Sequence, residues 1–380
     1  MENNKRLKVK KIIIGLFFCV AVCMAVYAQS ESDFVIDEWG MIIEYNGPSG
    51  ISLVIPPVIN GRQATGIAPA VFYNRQLTGV SIPESITYMG EDVFAENQLT
   101  SFNWPGIRSM IPAYMVLNNR LESAVIPDGV TIIDHAAFWG NALRSINIPN
   151  TATNIGEYAF ADNQLTSVTL PEGIEDISSY TFAYNQLRTV KIPEGVEVIG
   201  RGVFYDNLLT HVIIPDTVTF IRDLAFYSNK LQSVVLSANL TKIGYGAFAN
   251  NLLTSITIPD SVVEIEGLAF SGYELRKITI GRNVTLSEMR NPSFDNSFDD
   301  FYIANGSKAG TYELTGGQWR MTIAAQVDPI EIFDNSDQAA DIITDSPLPS
   351  TETAGRNYFI FSVPLIIACL VFFIIKKKCQ

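Results

Sequence analysis

Histidines, cysteines and paired carboxylates build most enzymatic sites, and in this chain of 380 residues they are few or scattered. The only two histidines, His135 and His211, stand apart, and no HExxH, GxSxG, phosphate-cradling glycine loop or Cys/His metal spacing occurs. All four cysteines, Cys19, Cys23, Cys369 and Cys379, fall in residues 1–28 or 358–380, so neither disulfides nor thiolate metal sites are expected in the body. Carboxylates are plentiful, but they occupy variable slots such as Glu172, Glu175 and Asp176, which reads as a solvated face. No catalytic, cofactor-binding or metal-binding residue is assigned, no cofactor is expected, and the chain is read as a non-enzyme.

Two other sets of residues have spacings that suit recognition or structure. Asn97, Asn119, Asn141, Asn163, Asn185, Asn207, Asn229 and Asn251 recur every 22 residues, with Arg75 and Tyr273 in the two terminal slots. An amide donates and accepts at once, so a buried ladder bonded to neighbouring backbone is expected, although Asn also favours turns by itself. The second set is Arg188, Lys191, His211, Ile213 and Val235, which interrupts a column of mostly small residues such as Thr166, Ser167 and Thr169. Apolar residues stacked and rimmed by bases would form a patch for a partner; β-branched strand preference is the plainer explanation of the same residues.

These residues must be positioned by a repeat. Phe72, Phe94, Val116, Phe138, Phe160, Phe182, Phe204, Phe226, Phe248 and Phe270 follow one another at intervals of 22, and a fixed period of this length predicts a solenoid. The position five after each of these is always Leu, from Leu77 to Leu275. Those eight and ten after are apolar, as in Val168 and Leu170, which predicts a short strand with one face inward. A proline then ends the strand in eight of ten repeats, and two more inward positions follow, such as Ile174 and Ile177. Stacked at ~4.8 Å, ten coils would make a curved, right-handed rod on the order of 50 Å long, with a parallel sheet along one side. Trp104, Pro112 and Val116 break the pattern without breaking the register, so a local bend is expected there.

The ends assign the compartment. Residues 1–28 run from a basic start through an apolar stretch to Ala28, which reads as a secretory signal. Residues 358–375 are 18 uncharged, mostly apolar positions before Lys376, Lys377 and Lys378, which reads as a membrane helix with a cytoplasmic tail at 376–380. Between them we expect an N-terminal cap at 29–66, ten repeats at 67–280, a C-terminal cap at 281–325 and an acidic flexible spacer at 326–357. Of 26 basic and 39 acidic residues, five and one lie in 1–28 and three lysines in the tail, leaving 18 and 38 in 29–357, a net charge of −20. Nucleic acid is thereby excluded as an expected partner.

The string I-P-x-x-V-x-x-I-G-x-x-A-F-x-x-N-x-L-T-x-V, over 55–280, resembles the BspA-type leucine-rich repeats of bacterial surface proteins, and the stretch FDDFYIANGSKAGTYELTGGQW resembles the tail of treponeme-like members. That resemblance implies an α/β-type leucine-rich repeat solenoid, mostly β with short turns, and adhesion to host extracellular matrix or bacterial surface proteins. The alternative is an envelope spacer without a specific ligand. Leu348, Pro349, Ser350, Thr351 and Glu352 resemble a sortase signal, but Glu352 stands where Gly is expected, so a retained membrane anchor is preferred.

Overall fold

The computed structural model describes residues 29–322, apart from 105, 107–108, 283, 287–291 and 295–296, and all of these lie within one compact unit, Met1–Gln326. The expected signal, acidic spacer, membrane helix and tail lie outside the described residues. Among the described residues no helix is long and apolar enough to cross a membrane.

The chain winds into a leucine-rich repeat β-solenoid of about 11 turns. Each coil turns the same side chains inward. In one of them Phe160, Leu165, Leu170, Ile174 and Ile177 are all buried, each worth ~1.5–3 kcal/mol of transfer free energy. The prolines open tight turns, since the carbonyls of Pro149, Pro193 and Pro215 accept from the N–H three residues on.

Parallel pairing runs along two sides rather than one. The more continuous ladder is built from the second inward position after the proline and the residue before it, in two-residue strands: Asp176–Ile177, Val198–Ile199, Phe220–Ile221, Lys242–Ile243, Glu264–Ile265 and Thr285–Leu286 form one six-stranded sheet. On the side where the sequence predicts the strand, pairing is patchier. His211–Ile213 pairs with Ser233–Val235, and Ser255–Thr257 with Lys277–Ile280, but only isolated bridges join Val125, Asn147 and Thr169. Two residues are too few to display a period-two alternation, so the better ladder leaves the weaker mark in the sequence.

A third set of bonds closes the Phe corner. The N–H groups of Tyr158, Phe160 and Asp162 donate to the carbonyls of Ser179, Thr181 and Ala183 in the next coil. Residues two before and two after the Phe have positive φ, 57° at Tyr158 and 52° at Asp162, which turns alternate amides the same way. The same two slots are left-handed in the other coils, with Gly202 (58°) and Gly246 (60°) filling the first slot in two of them.

The ends are closed by different devices. Phe34–Ile36 pairs antiparallel with Met41–Tyr45, which in turn pairs parallel with Gly66–Ile67 as the first rung. At the other end Lys277–Ile280 pairs antiparallel with Gly310–Thr315, which turns through Gly316 and Gly317 into Gln318–Thr322. A seven-residue helix, Phe298–Ala304, buries Phe298 and Tyr302 beneath Tyr312 and Trp319. The segment at 281–325, predicted as turns and short strands, thus contains a helix as well. Two buried aromatic residues, too few for a helical period to register, are satisfied by one end of the solenoid.

Candidate functional site

The outward face of the patchy side carries the basic and apolar set. Val212 and Ile214 are buried, and alternation along the strand sends Ile213 outward, 58% exposed. Register places Val235, 53% exposed, directly beside it, and Ser233 beside His211. His211 Nδ1 lies 3.0 Å from Ser233 Oγ. Val190, Lys191, Glu194, His211, Ile213 and Pro215 line a shallow depression of about 300 Å³. Of the five residues singled out from the sequence, the structure therefore brings Lys191, His211 and Ile213 together at one depression. Val235 extends its apolar side by one coil, and Arg188 is exposed outside the lining and makes no ion pair among the described residues. Val125, 75% exposed in the same column, has Asn147 as its bridge partner and no apolar companion there.

Lys191 is not a free base. Its Nζ lies 2.8 Å from Glu172 Oε1, and this hydrogen bond and charge raise the ammonium above its ordinary value. With Glu194 also in the lining, the depression is mixed in sign rather than basic.

The asparagines lie inside. Seven of the eight are buried and Asn141 is half-buried. Asn163 is representative: its Oδ1 accepts from Leu143 N–H at 3.0 Å, and its Nδ2 donates to the carbonyls of Phe138 at 3.0 Å, Phe160 at 3.2 Å and Ala161 at 3.1 Å. Positive φ falls on Asp162 and not on Asn163, so left-handed turn preference does not account for this residue. In the first slot Arg75 reaches the Tyr45 carbonyl through Nη2, and its guanidinium lies 5.5 Å from the Tyr45 ring centroid.

This geometry of inward Leu, Ile and Phe with an amide at each corner agrees with comparison to known proteins. The sequence profile described as "BspA type Leucine rich repeat region" matches six copies, over 58–118, 109–232 and 219–309. The chain belongs to the BspA-type leucine-rich repeat family. No curated protein sequence matches it. Among solved structures, a leucine-rich repeat protein from Bacteroides ovatus is 25% identical, with 66% of each chain covered and a TM-score of 0.48. A leucine rich cell surface protein from Faecalibacterium prausnitzii is 21% identical over 66% of this chain and 87% of its own, with a TM-score of 0.36. The pneumococcal vaccine antigen PcpA is 14% identical over 67% of this chain and 87% of its own, with a TM-score of 0.45. Leucine-rich repeat proteins are generally protein-binding, and the family is typically a non-enzymatic scaffold.

Among the described residues of this BspA-type protein, no group of three or more His, Cys, Asp or Glu is placed to hold a metal ion. The sequence reading missed two features. Tyr88, Met110 and Ile132 are exposed apolar residues in successive coils on the six-stranded sheet's side of the solenoid. Aromatic rings also meet along the Phe corner, with Tyr158 stacked on Tyr180 at 4.9 Å and Tyr205 on Tyr227 at 5.0 Å. Both columns could have been found by tabulating the repeat slots for large residues outside the inward set.

One buried carboxyl has an unusual proton affinity. Asp299 accepts from the backbone N–H groups of Ser293 at 2.6 Å and Phe294 at 3.0 Å, yet desolvation pushes its pKa up to about 6. The folded state then binds this proton more tightly than the unfolded chain does. Its stabilisation is full below the ordinary value of 3.8 and is lost as pH rises through about 6. Between pH 7.5 and pH 5 the parent should gain ~1–2 kcal/mol over Asp299→Asn, a difference read from paired urea titrations at each pH. An equal pH response in both proteins would show that Asp299 is not the titrating group.

Proposed function

We propose that this chain is a non-enzymatic adhesion protein of the cell surface, exported through residues 1–28 and held by 358–375, which binds a host matrix or bacterial surface protein. The observation that carries this reading is the pair Ile213 and Val235, exposed side by side above the depression that contains Lys191 and His211. Apolar surface held rigid on a sheet, with charges of both signs at its rim, loses little entropy on docking, and the rim supplies orientation. The exposed Lys191–Glu172 pair contributes register rather than stability. The family's general use in protein binding supports the same reading.

The test is binding of the full-length chain to immobilised host matrix proteins and to intact bacteria. Changing Ile213 and Val235 together to Thr keeps the β-branched shape and removes the apolar surface. Affinity should fall at least about tenfold, ~1.4 kcal/mol. A double variant that folds normally and binds as well as its parent removes this face from consideration.

A further inference from the structure

We infer that the protein carries a second ligand site, for a neutral oligosaccharide, in a polar groove beside the Phe corner. It lies away from the sheet face that holds Ile213 and does not depend on that reading. The groove encloses about 470 Å³, within the usual range for small-ligand sites. Its lining includes Glu157, Asp176, Arg201, Arg222 and the hydroxyl residues Ser178 and Ser179.

The balance of charge selects the ligand. Two carboxylates face two guanidinium groups, and none of the four forms an ion pair among the described residues. A cation would need a surplus of carboxylates, and a phosphate or sulfated sugar a surplus of arginines. A groove that is neutral overall, yet offers both strong donors and strong acceptors, fits a ligand whose groups both donate and accept. Sugar hydroxyls do so, and neighbouring pairs of them match the fork of a guanidinium and the two oxygens of a carboxylate.

Two lining residues are anchored in sequence to a column of stacked rings that is not itself part of the lining. Glu157 and Ser179 are each followed by a tyrosine, and these two rings, Tyr158 and Tyr180, stack at 4.9 Å with 8° between planes. Trp139 continues the stack onto Tyr158 at 5.3 Å. Burial raises the Tyr158 phenol above its ordinary value, the neighbouring Tyr180 and Glu157 add to this, and Arg201 opposes them, so charges of the groove are felt at the ring.

Several of these groups are held in advance. The Arg222 guanidinium carbon lies 5.2 Å from the Phe220 ring centroid. Tyr180 lies against Gly202, where an added Cβ would fall 2.3 Å from its Cε1. Tyr158 and Tyr180 both occupy left-handed slots, φ 57° and 55°, that glycine fills at Gly202 and Gly246.

The experiment is calorimetric titration of the full-length chain, in buffer and detergent free of sugar headgroups. The probes are maltohexaose, cellohexaose, mannohexaose and chitohexaose, with a heparin hexasaccharide and spermine as charged controls. Saturable binding of at least one neutral probe is expected. Arg201→Ala should weaken it at least about tenfold, while the Ile213→Thr, Val235→Thr double variant binds as its parent does. Arg201 is exposed, so its variant is expected to fold as the parent does. Absence of binding by all four neutral probes, binding of the charged controls alone, or undiminished binding by Arg201→Ala overturns the proposal.

Discussion

Phe160→Ala is expected to lower the stability of the repeat array by ~3–5 kcal/mol, the range for emptying a buried phenylalanine site. Its ring is fully buried between Phe138, 5.2 Å away, and Phe182, 5.6 Å away, with the planes within 13° of parallel. These contacts belong to a column of stacked rings that continues coil by coil to Phe270 and Phe294. A gap at Phe160 removes a ring contact from both neighbours, each worth ~0.5–1.5 kcal/mol beyond area burial. Neighbours cannot close in, because three ladders of backbone bonds fix the coil spacing. Since each coil touches only the next, a central lesion also weakens coupling between the two halves. Urea titration followed by circular dichroism checks this, with a lower midpoint and a broadened transition expected. A loss under about 1 kcal/mol would mean that the corner collapses around the missing ring, against the packing described.

Asn163→Ala should cost ~1–3 kcal/mol by stranding a buried N–H and several carbonyls of two adjacent coils. The informative companion is Asn163→Asp. Both residues favour turns about equally, so a turn-preference role would leave aspartate nearly neutral. In the structure, however, Nδ2 faces the carbonyls of Phe138, Phe160 and Ala161, and a carboxylate would set oxygen against oxygen in a buried site. Aspartate should therefore destabilise more than alanine. Thermal melts of the three proteins rank them; an order with aspartate above alanine in stability would contradict the bonding described.

The third repeat illustrates where reading from sequence stops. Val116 takes the Phe slot and leaves the aromatic column without a ring at that position. The hole is filled from another position: Phe102 packs on Phe94 at 5.3 Å, Trp104 on Phe102 at 4.4 Å, and Phe138 on Trp104 at 5.7 Å. Trp104 itself was visible as an oddity, a large ring where a strand Ile belongs, but the residue it compensates comes later in the chain. Lys191 gives a second case. Its outward position follows from alternation, whereas its pairing with Glu172, in the preceding coil, depends on the path of the intervening turn.

By itself the sequence determined the repeat, its register and the inward set. With one pattern every 22 residues, each coil's neighbours are near copies of itself, so a residue's environment is predictable from its own slot. Leu77 through Leu275 and the Phe corners could hardly face elsewhere, because only stacking buries them. What the tertiary structure alone decided lies between the slots. It set which side carries the better ladder, since two-residue strands have no readable period. It also decided that a groove joins Glu157 to Arg201 and Arg222, because that meeting depends on corner backbone in left-handed conformations, which side-chain pattern does not encode.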